Sequence, residues 1–255
     1  MKILYLDCFS GISGDMALAA LVDAGADIQY IEQELTKLGI QESYQLVWHK
    51  VMKSGISSLK VDVQLELPDK PSRFRVIEHS HRRHADIVKM IRAAGLSAAA
   101  THWSLAIFEK IAIAEAKIHQ IPIEEVHFHE VGAIDSIVDI VGVSLALDHL
   151  QPDRIISSPI PLGSGTIRID HGTYPVPAPA TLEMMRGIPI APSQHTMELT
   201  TPTGAGIIAG IVDEFSSTIP PMIVDRIGYG AGTRDLPNQP NVLRTVVGQM
   251  EPSMI

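Results

Sequence analysis

The longest apolar stretch of the sequence runs from Ile134 to Leu150, and its first half is interrupted by Asp135 and Asp139. A membrane-spanning helix needs a run of about 18 to 20 apolar residues, and no such run exists in this sequence. The stretch therefore predicts a strongly apolar helix inside a folded protein, from about residue 135 to residue 149. A carboxylate inside such a helix is costly unless it is paired or bound to a metal.

The composition is that of a folded protein, because 45% of the residues are hydrophobic and 19% are charged. The length of 255 residues allows one large domain or two small ones. The net charge is -9 and no basic stripe is visible, so the sequence argues against a nucleic-acid partner.

A reducing cytoplasm is the expected location of this chain. Cys8 is the only cysteine, which excludes a disulfide within the chain and a cysteine-rich zinc site. Asp7 places a carboxylate too close to the N-terminus for a signal peptide, which needs an apolar segment there. The sequence leaves the oligomeric state open, a homo-oligomer included.

Periodicity and turn residues predict a mixed α/β fold, with α+β as the alternative. The first half is expected to be helix-rich, and the second half loop-rich with short strands. We predict a soft division into residues 1–150 and 151–255, with a single domain as the alternative. The main predicted elements are a strand at 3–6, helices at 16–24, 28–38, 98–119 and 135–149, a hairpin at 44–67, and strands at 222–227 and 242–247.

A short strand, a small-residue turn and a helix start follow one another near the N-terminus. The free backbone N–H groups of such a helix start suit a phosphate or a carboxylate, which Gly11, Ser13 and Gly14 would hold. Asp7 and Asp15 flank the turn and would hold a metal that bridges to the anion. The lysine of a Walker A loop and the glycine spacing of a Rossmann fingerprint are missing. An ordinary tight turn, with Asp15 at the helix start, is the alternative.

Three histidines, His79, His81 and His84, lie within six residues. Imidazole suits nickel, zinc and copper, so this group is a candidate loading site for a divalent ion. Arg82 and Arg83 favour the alternative of a solvated polar loop, because they repel a cation.

A second histidine group directly precedes the apolar helix. If the segment is extended, His127 and His129 project to one face, and helical spacing places Asp135 and Asp139 on one face as well. These four side chains are therefore candidate metal ligands. The alternative is a helix start in which Asp135 is the cap and Asp139 bonds to a neighbour.

Two glycine-containing loops in the second half are candidate anion sites. Thr201 followed by Pro202 fits the cap and first turn of a helix that would present Thr203 and Gly204 to an anion. A glycine-rich segment further on ends in Arg234, which would clamp a phosphate. Each pattern alone is also ordinary turn chemistry.

Together these segments resemble the nickel-insertion proteins of nickel-pincer cofactor biosynthesis. The resemblance follows chain order and covers nearly the whole sequence, in Asp7–Met16, Val126–Gly142, Pro161–Gly165, His171–Thr181, Glu198–Ala205 and Gly228–Arg244. It implies insertion of nickel into pyridinium-3,5-bisthiocarboxylic acid mononucleotide, with one carbon–nickel and two sulfur–nickel bonds formed. It also implies a need for CTP with manganese or magnesium, and a product that serves lactate racemase and related enzymes.

Two features depart from the family pattern. The histidine-rich loop of the family is often longer than His79–His84, which weakens the expected nickel storage. Family proteins also continue beyond Arg244 with a C-terminal domain that binds the nucleoside triphosphate. Use of CTP by this chain is therefore expected to need that partner domain.

The resemblance implies three roles for residues of this chain. The turn glycines and Arg234 would hold the phosphate of the substrate, and histidines and carboxylates would present nickel to its two thiocarboxylates. His129 or Glu130 would accept the ring proton. Two alternatives remain. One is a non-enzymatic nickel chaperone. The other is a metal-dependent phosphohydrolase in which two ions would be held by Asp7, Asp15, His127, His129 and Asp139.

Overall fold

The structure is a computed structural model, and it describes residues 1–40, 44–65, 82–128, 131, 133–169 and 172–251. The α-helices are α1 (Gly14–Asp23), α2 (Ile28–Leu35), α3 (His84–Ala93), α4 (Ala98–His119), α5 (Ile134–Leu150), α6 (Pro179–Met184) and α7 (Pro202–Ile211). The longer strands are β1 (Lys2–Asp7), β2 (Tyr44–Lys53), β3 (Ile56–Leu65), β6 (Arg154–Ser157), β8 (Thr166–Ile169), β9 (Gly172–Pro175), β12 (Ile223–Ala231) and β13 (Val242–Gln249). The two-residue strands are β4 (Arg82–Arg83), β5 (His127–Phe128), β7 (Ile160–Pro161), β10 (Ile190–Ala191) and β11 (Glu214–Phe215).

Seven strands form one mixed sheet in the order β11-β6-β1-β13-β12-β3-β2. Strand β1 pairs in parallel with β6 and antiparallel with β13. The sheet therefore contains strands from both sides of residue 151, and the division proposed there stays a prediction. The mixed α/β class predicted from the sequence is confirmed.

The two faces of the sheet differ in what covers them. Alternate residues of a strand point to opposite faces, and in β1 Leu4 and Leu6 join the main core, to which each of the described α-helices contributes. Ile3 and Tyr5 point the other way, into a small cluster with Ile156 and Val246. The helices therefore lie against one face, and the larger core is on that side.

Helix α1 packs directly against β12, because two glycines of the strand leave room for its backbone. A Cβ atom on Gly230 would overlap the carbonyl oxygen of Met16, and one on Gly228 would overlap that of Ala20. This close approach fixes the first turn of α1 beside the end of β12.

Several local predictions match the structure. The hairpin predicted around Lys53–Gly55 is formed by β2 and β3, with Ser54 and Gly55 at φ of 47° and 86°. Helix α4 has the predicted bounds, and α5 extends its prediction by one residue at each end. Strand β6 was not predicted from the sequence. Among the described helices, none is both long and apolar enough to cross a membrane.

Candidate functional site

A cavity of about 370 Å³ opens where three helices begin, because the first turns of α1, α5 and α7 all line it. Helix N-termini present free backbone N–H groups and a partial positive charge, which favour an anion. The same cavity is lined by the carboxylates of Asp15, Asp62, Asp135, Asp139 and Glu198. It therefore combines groups that attract an anion with groups that bind a cation.

The turn between β1 and α1 is held against the loop that precedes α7. Gly11 has a φ of 86°, and a side chain there would overlap the carbonyl group of Leu199. The backbone N–H of Thr201 donates to the carbonyl oxygen of Ile12 at 3.1 Å. Gly204 lets the two segments approach, since a Cβ atom there would overlap the same carbonyl. Glycines at these positions therefore bring two helix N-termini to one cavity.

Helix α7 begins as the Thr201–Pro202 pair predicts. The Oγ1 atom of Thr201 accepts a hydrogen bond from the backbone N–H of Gly204 at 3.1 Å, and Pro202 occupies the first turn. Thr201, Pro202 and Thr203 all line the cavity. At the start of α1 the Ser13 hydroxyl instead donates to the carboxylate of Asp15.

Asp139 lies in the second turn of α5, and its side chain lines the cavity. Its Oδ1 atom is buried and has no hydrogen-bond partner in the described part of the chain. Burial, and then the neighbouring carboxylates of Asp15 and Asp135, raise the pKa of Asp139 well above its ordinary value. A buried oxygen without a donor is rare in native proteins, and a bound cation is one explanation for it.

Gly14 is the residue against which the Asp139 carboxylate packs. A Cβ atom on Gly14 would lie 2.5 Å from Oδ2 of Asp139 and 2.7 Å from its Cβ atom. The first turn of α1 and the second turn of α5 can approach this closely only because residue 14 has no side chain.

Lys60 of β3 is the one basic side chain among the described residues that line this cavity. Its Nζ atom lies 3.2 Å from Oδ2 of Asp15, 3.1 Å from Oδ1 of Asp62 and 3.1 Å from Oγ1 of Thr233. Burial alone would lower the pKa of Lys60, but the carboxylates of Asp15 and Asp62 outweigh it and raise the pKa. The ammonium is therefore held in its charged form.

A second cavity, of about 360 Å³, adjoins the first. Both are lined by Ser13, Asp15, Glu198, Thr201 and Thr233. Arg234 lines only the second, where its Nη1 atom donates to the carbonyl oxygen of Glu198 at 3.3 Å. The two cavities together form a cleft with carboxylates towards one end and a guanidinium towards the other.

The donor atoms that the described residues bring to the first cavity are mainly oxygens. Carboxylate and hydroxyl oxygens suit hard ions such as Mg²⁺ and Mn²⁺ best, and they hold nickel less firmly than sulfur does. Within the described ranges, no three histidine, cysteine, aspartate or glutamate side chains already converge as a metal site. A divalent ion here would therefore need to draw the carboxylates together or to take ligands from a substrate.

The sequence model of the nickel insertion proteins matches residues 4–254. The chain belongs to this family. A relative from Geobacillus kaustophilus, named as the pyridinium-3,5-bisthiocarboxylic acid mononucleotide nickel insertion protein, is 56% identical over 249 residues, which cover 98% of this chain and 60% of the relative. A relative of the same name from Clostridium kluyveri is 48% identical over 259 residues, which cover 99% of this chain and 63% of the relative.

The chain therefore spans about three fifths of the length of these curated relatives. No solved structure matches the chain.

The structure brings together about half of the site residues that the sequence predicts for this member of the nickel insertion family. The first cavity is lined by Ser13, Gly14, Asp15, Asp135, Asp139, Thr201 and Thr203, and the second by Arg234. Gly11 and Gly204 shape the walls through the close approaches described above.

Asp7 lies apart from this group. It shares a sheet face with Ile3 and Tyr5, which is the face opposite the helices. Its Oδ2 atom accepts two hydrogen bonds from Arg244 of the adjacent strand, one from Nε at 2.9 Å and one from Nη2. Asp7 lines neither of the two cavities.

The histidines are distributed differently from the carboxylates. His127 is exposed on β5 and lines neither cavity. His84 begins α3, where burial lowers its pKa, and its ring meets Phe128 edge-on with the centroids 6.0 Å apart. His79, His81, His129 and Glu130 lie outside the described residues, so their predicted roles stay predictions.

Sequence reasoning missed Lys60, Asp62 and Glu198. In β3, Lys60 and Asp62 alternate with Leu59, Val61 and Val63, a pattern that ordinarily indicates a solvent-facing strand surface. In the folded protein the lysine is buried, and α1 packs beside its strand. The spacing of Lys60 and Asp62, two residues apart on one strand, was the one local feature that indicated an ion pair.

Proposed function

We propose that this chain carries the nickel-handling site for insertion of nickel into pyridinium-3,5-bisthiocarboxylic acid mononucleotide. The observation that carries the proposal is the buried, unpaired Oδ1 atom of Asp139 in a cavity where three helices begin. Family membership and the names of two relatives agree with this assignment.

Nickel is the cargo of the proposed reaction and leaves the protein with the product. Asp139 and Asp135 would bind it on the α5 side and Asp15 on the α1 side, because all three carboxylates line the cavity. Nickel is borderline in softness and binds sulfur more strongly than carboxylate oxygen. Transfer from the carboxylates to the two thiocarboxylates of the substrate would therefore run downhill, because the protein supplies the weaker ligands.

The phosphate of the mononucleotide would occupy the other end of the cleft. The hydroxyls of Thr201 and Thr203 and the backbone N–H of Thr203 at the start of α7 offer hydrogen-bond donors, and Arg234 offers a guanidinium. Lining residues shared by the two cavities would let one substrate reach both ends. For the ring proton we retain His129 or Glu130 as the proposed base, on the sequence pattern alone.

The need for CTP with manganese or magnesium belongs to this proposal as well. The oxygen donors of the first cavity fit Mn²⁺ or Mg²⁺ at least as well as nickel. In this proposal these oxygens are ligands of the metal ion and do not form the binding site of the nucleotide. We expect CTP to act through the C-terminal region that the longer relatives possess, and the product to serve lactate racemase.

The test is nickel insertion into the purified dithio mononucleotide, followed by mass spectrometry of the nickel-containing product. The chain is assayed alone and with the C-terminal region of a longer relative, each with and without CTP and manganese or magnesium. Product that depends on the chain and is lost in Asp139→Asn supports the proposal. Stoichiometric nickel release without product would favour a chaperone, and hydrolysis of simple phosphate esters without nickel would favour a phosphohydrolase.

One observation already weighs against the phosphohydrolase. That alternative needs Asp7 and Asp15 near the same pair of ions, yet Asp7 is bonded to Arg244 on the opposite face of the sheet.

A further inference from the structure

Lys60 is one of the residues that line the acidic cavity. It is within hydrogen-bond distance of two carboxylates, Asp15 and Asp62, and of the hydroxyl of Thr233. Lys60 is 8% exposed, but the side chain of Asp62 is 38% exposed and that of Asp15 is 25% exposed, so water screens the contact with Asp15 less than the contact with Asp62. The ammonium of Lys60 is therefore a cation bound by carboxylates that could also be ligands of a metal ion.

The charges of the cavity do not balance around this lysine. Five acidic side chains line the cavity, and Lys60 is the single basic one among the described residues. Two of the five are satisfied by the ammonium, whereas Oδ1 of Asp139 has no partner within the described ranges. The lysine therefore neutralises one part of the cavity and leaves another part open to a second cation.

We propose that Lys60 is a resident counter-cation, which competes with the incoming divalent ion for Asp15 and Asp62 and so keeps metal binding weak enough for the metal to be passed on. The inference rests on the proposed function of this cavity, and it assigns to Lys60 a role in releasing the ion rather than in holding it. Lys60 is a positioning residue in this scheme, and it makes no bond to the metal.

Two physical effects support the competition. A divalent ion bound by Asp139 and Asp15 would lie within a few ångströms of the ammonium, where like charges repel strongly in a partly buried site. The ion must also take Asp15 from Lys60 to gain it as a ligand, which breaks an existing ion pair. The flexible stem of lysine lets the ammonium move towards Thr233, which lines the second cavity too.

The inference predicts a gain of affinity when the charge is removed. Lys60→Met keeps the apolar stem and loses the charge, so the dissociation constant for nickel should fall by about tenfold or more. Lys60→Gln keeps a hydrogen-bond donor for the two carboxylates and should show the same direction of change. Lys60→Arg keeps the charge and should leave the affinity close to that of the wild type.

Isothermal titration of nickel into each metal-free protein measures this effect, at one pH and one ionic strength. Lys50→Met is the matched control, because it removes the same charge from the neighbouring strand β2, where Lys50 pairs with Asp23 outside the cavity. Thermal unfolding of every variant shows that it is folded. A purely structural role for Lys60 would weaken binding on substitution, so tighter binding cannot arise from damage to the fold.

Each outcome decides a different question. Tighter binding by Lys60→Met and Lys60→Gln, but not by Lys50→Met, supports the inference, even if the wild type binds too weakly to measure. Wild-type binding with unchanged or weaker binding in both neutral variants overturns the role of Lys60 and leaves the proposed function standing. Absence of nickel binding in the wild type and in both neutral variants overturns the inference together with the metal site on which it rests.

Discussion

Two aspartates on opposite faces of the central sheet differ in how the fold treats their charge. Asp7 ends β1 on the face away from the helices, where Arg244 of β13 donates two hydrogen bonds to it. Asp139 lies on the helix side, and its Oδ1 atom is buried without a partner in the described structure. A carboxylate that the fold has already paired serves stability, whereas one that the fold leaves unpaired is available to a ligand.

Neutralising Asp139 is the most direct test of this difference between the two aspartates. We expect Asp139→Asn to reduce nickel insertion by about a hundredfold or more, because an amide is a poor substitute for a charged metal ligand. The metal-free variant should unfold at a higher temperature than the wild type, since a buried and unpaired charge has been removed. Product formation and thermal unfolding measure the two effects.

Asp148→Asn is the control on the same helix. Asp148 accepts a hydrogen bond from the hydroxyl of Tyr30 at 2.5 Å and lines neither cavity. Its loss should cost stability and leave insertion near the wild-type rate. An Asp139→Asn protein that inserts nickel normally would remove Asp139 from the site.

Gly14 tests whether the position of the Asp139 carboxylate matters as well as its charge. A methyl group at residue 14 would meet Oδ2 at 2.5 Å, so Gly14→Ala must shift the carboxylate or α1. We expect nickel affinity to fall by about tenfold, with a modest loss of stability. Titration with nickel and thermal unfolding check this. Unchanged affinity would show that the cavity tolerates the shift.

The predictive signals for these two residues were local. Asp139 was recognisable because an acidic residue interrupts an otherwise apolar helix, and Gly14 because small residues mark the turn before α1. Both signals lie within a few positions of the residue concerned. The helices, the hairpin and the capped start of α7 were predictable for the same reason.

What the sequence could not supply were pairings between distant segments. Asp7 lies just before the turn between β1 and α1, and Gly14 lies just after it. Only the pairing of β1 with β13 reveals that Arg244 binds Asp7. The ion pair between Lys60 and Asp15 likewise depends on α1 packing beside β3. Such contacts depend on the order of strands in the sheet, which local periodicity does not determine.

Asp7→Asn tests the same difference at the aspartate that the fold has paired. The sequence pattern predicts loss of activity, whereas the ion pair with Arg244 predicts a loss of stability of about 1 kcal/mol, since the arginine is partly exposed. On the structural argument, insertion should stay within about twofold of the wild type. Chemical denaturation and the insertion assay measure the two quantities. Arg244→Met should give the same loss of stability, and a double variant should show that the two losses are not additive.

The smallest expected effect is the pH dependence of the stability difference between Asp139→Asn and the wild type. In the metal-free folded protein, burial raises the pKa of Asp139 above its unfolded value. The wild type therefore loses stability as the pH rises from the unfolded pKa, about 4, towards the raised folded pKa, whereas the asparagine variant does not titrate there. The gap in melting temperature should be close to zero below this window, grow through it and then level off.

Melting curves in the presence of a chelator, taken at intervals from acidic to neutral pH, measure this gap. Carboxylates far from residue 139 titrate alike in both proteins, so their contributions cancel in the difference, whereas Asp15 and Asp135 interact with the charge of Asp139. Saturating nickel at neutral pH should then reverse the sign, because the ion stabilises only the protein that binds it. A gap that is constant across the whole pH range would mean that the Asp139 carboxylate is already satisfied in the metal-free fold, and the contrast with Asp7 would disappear.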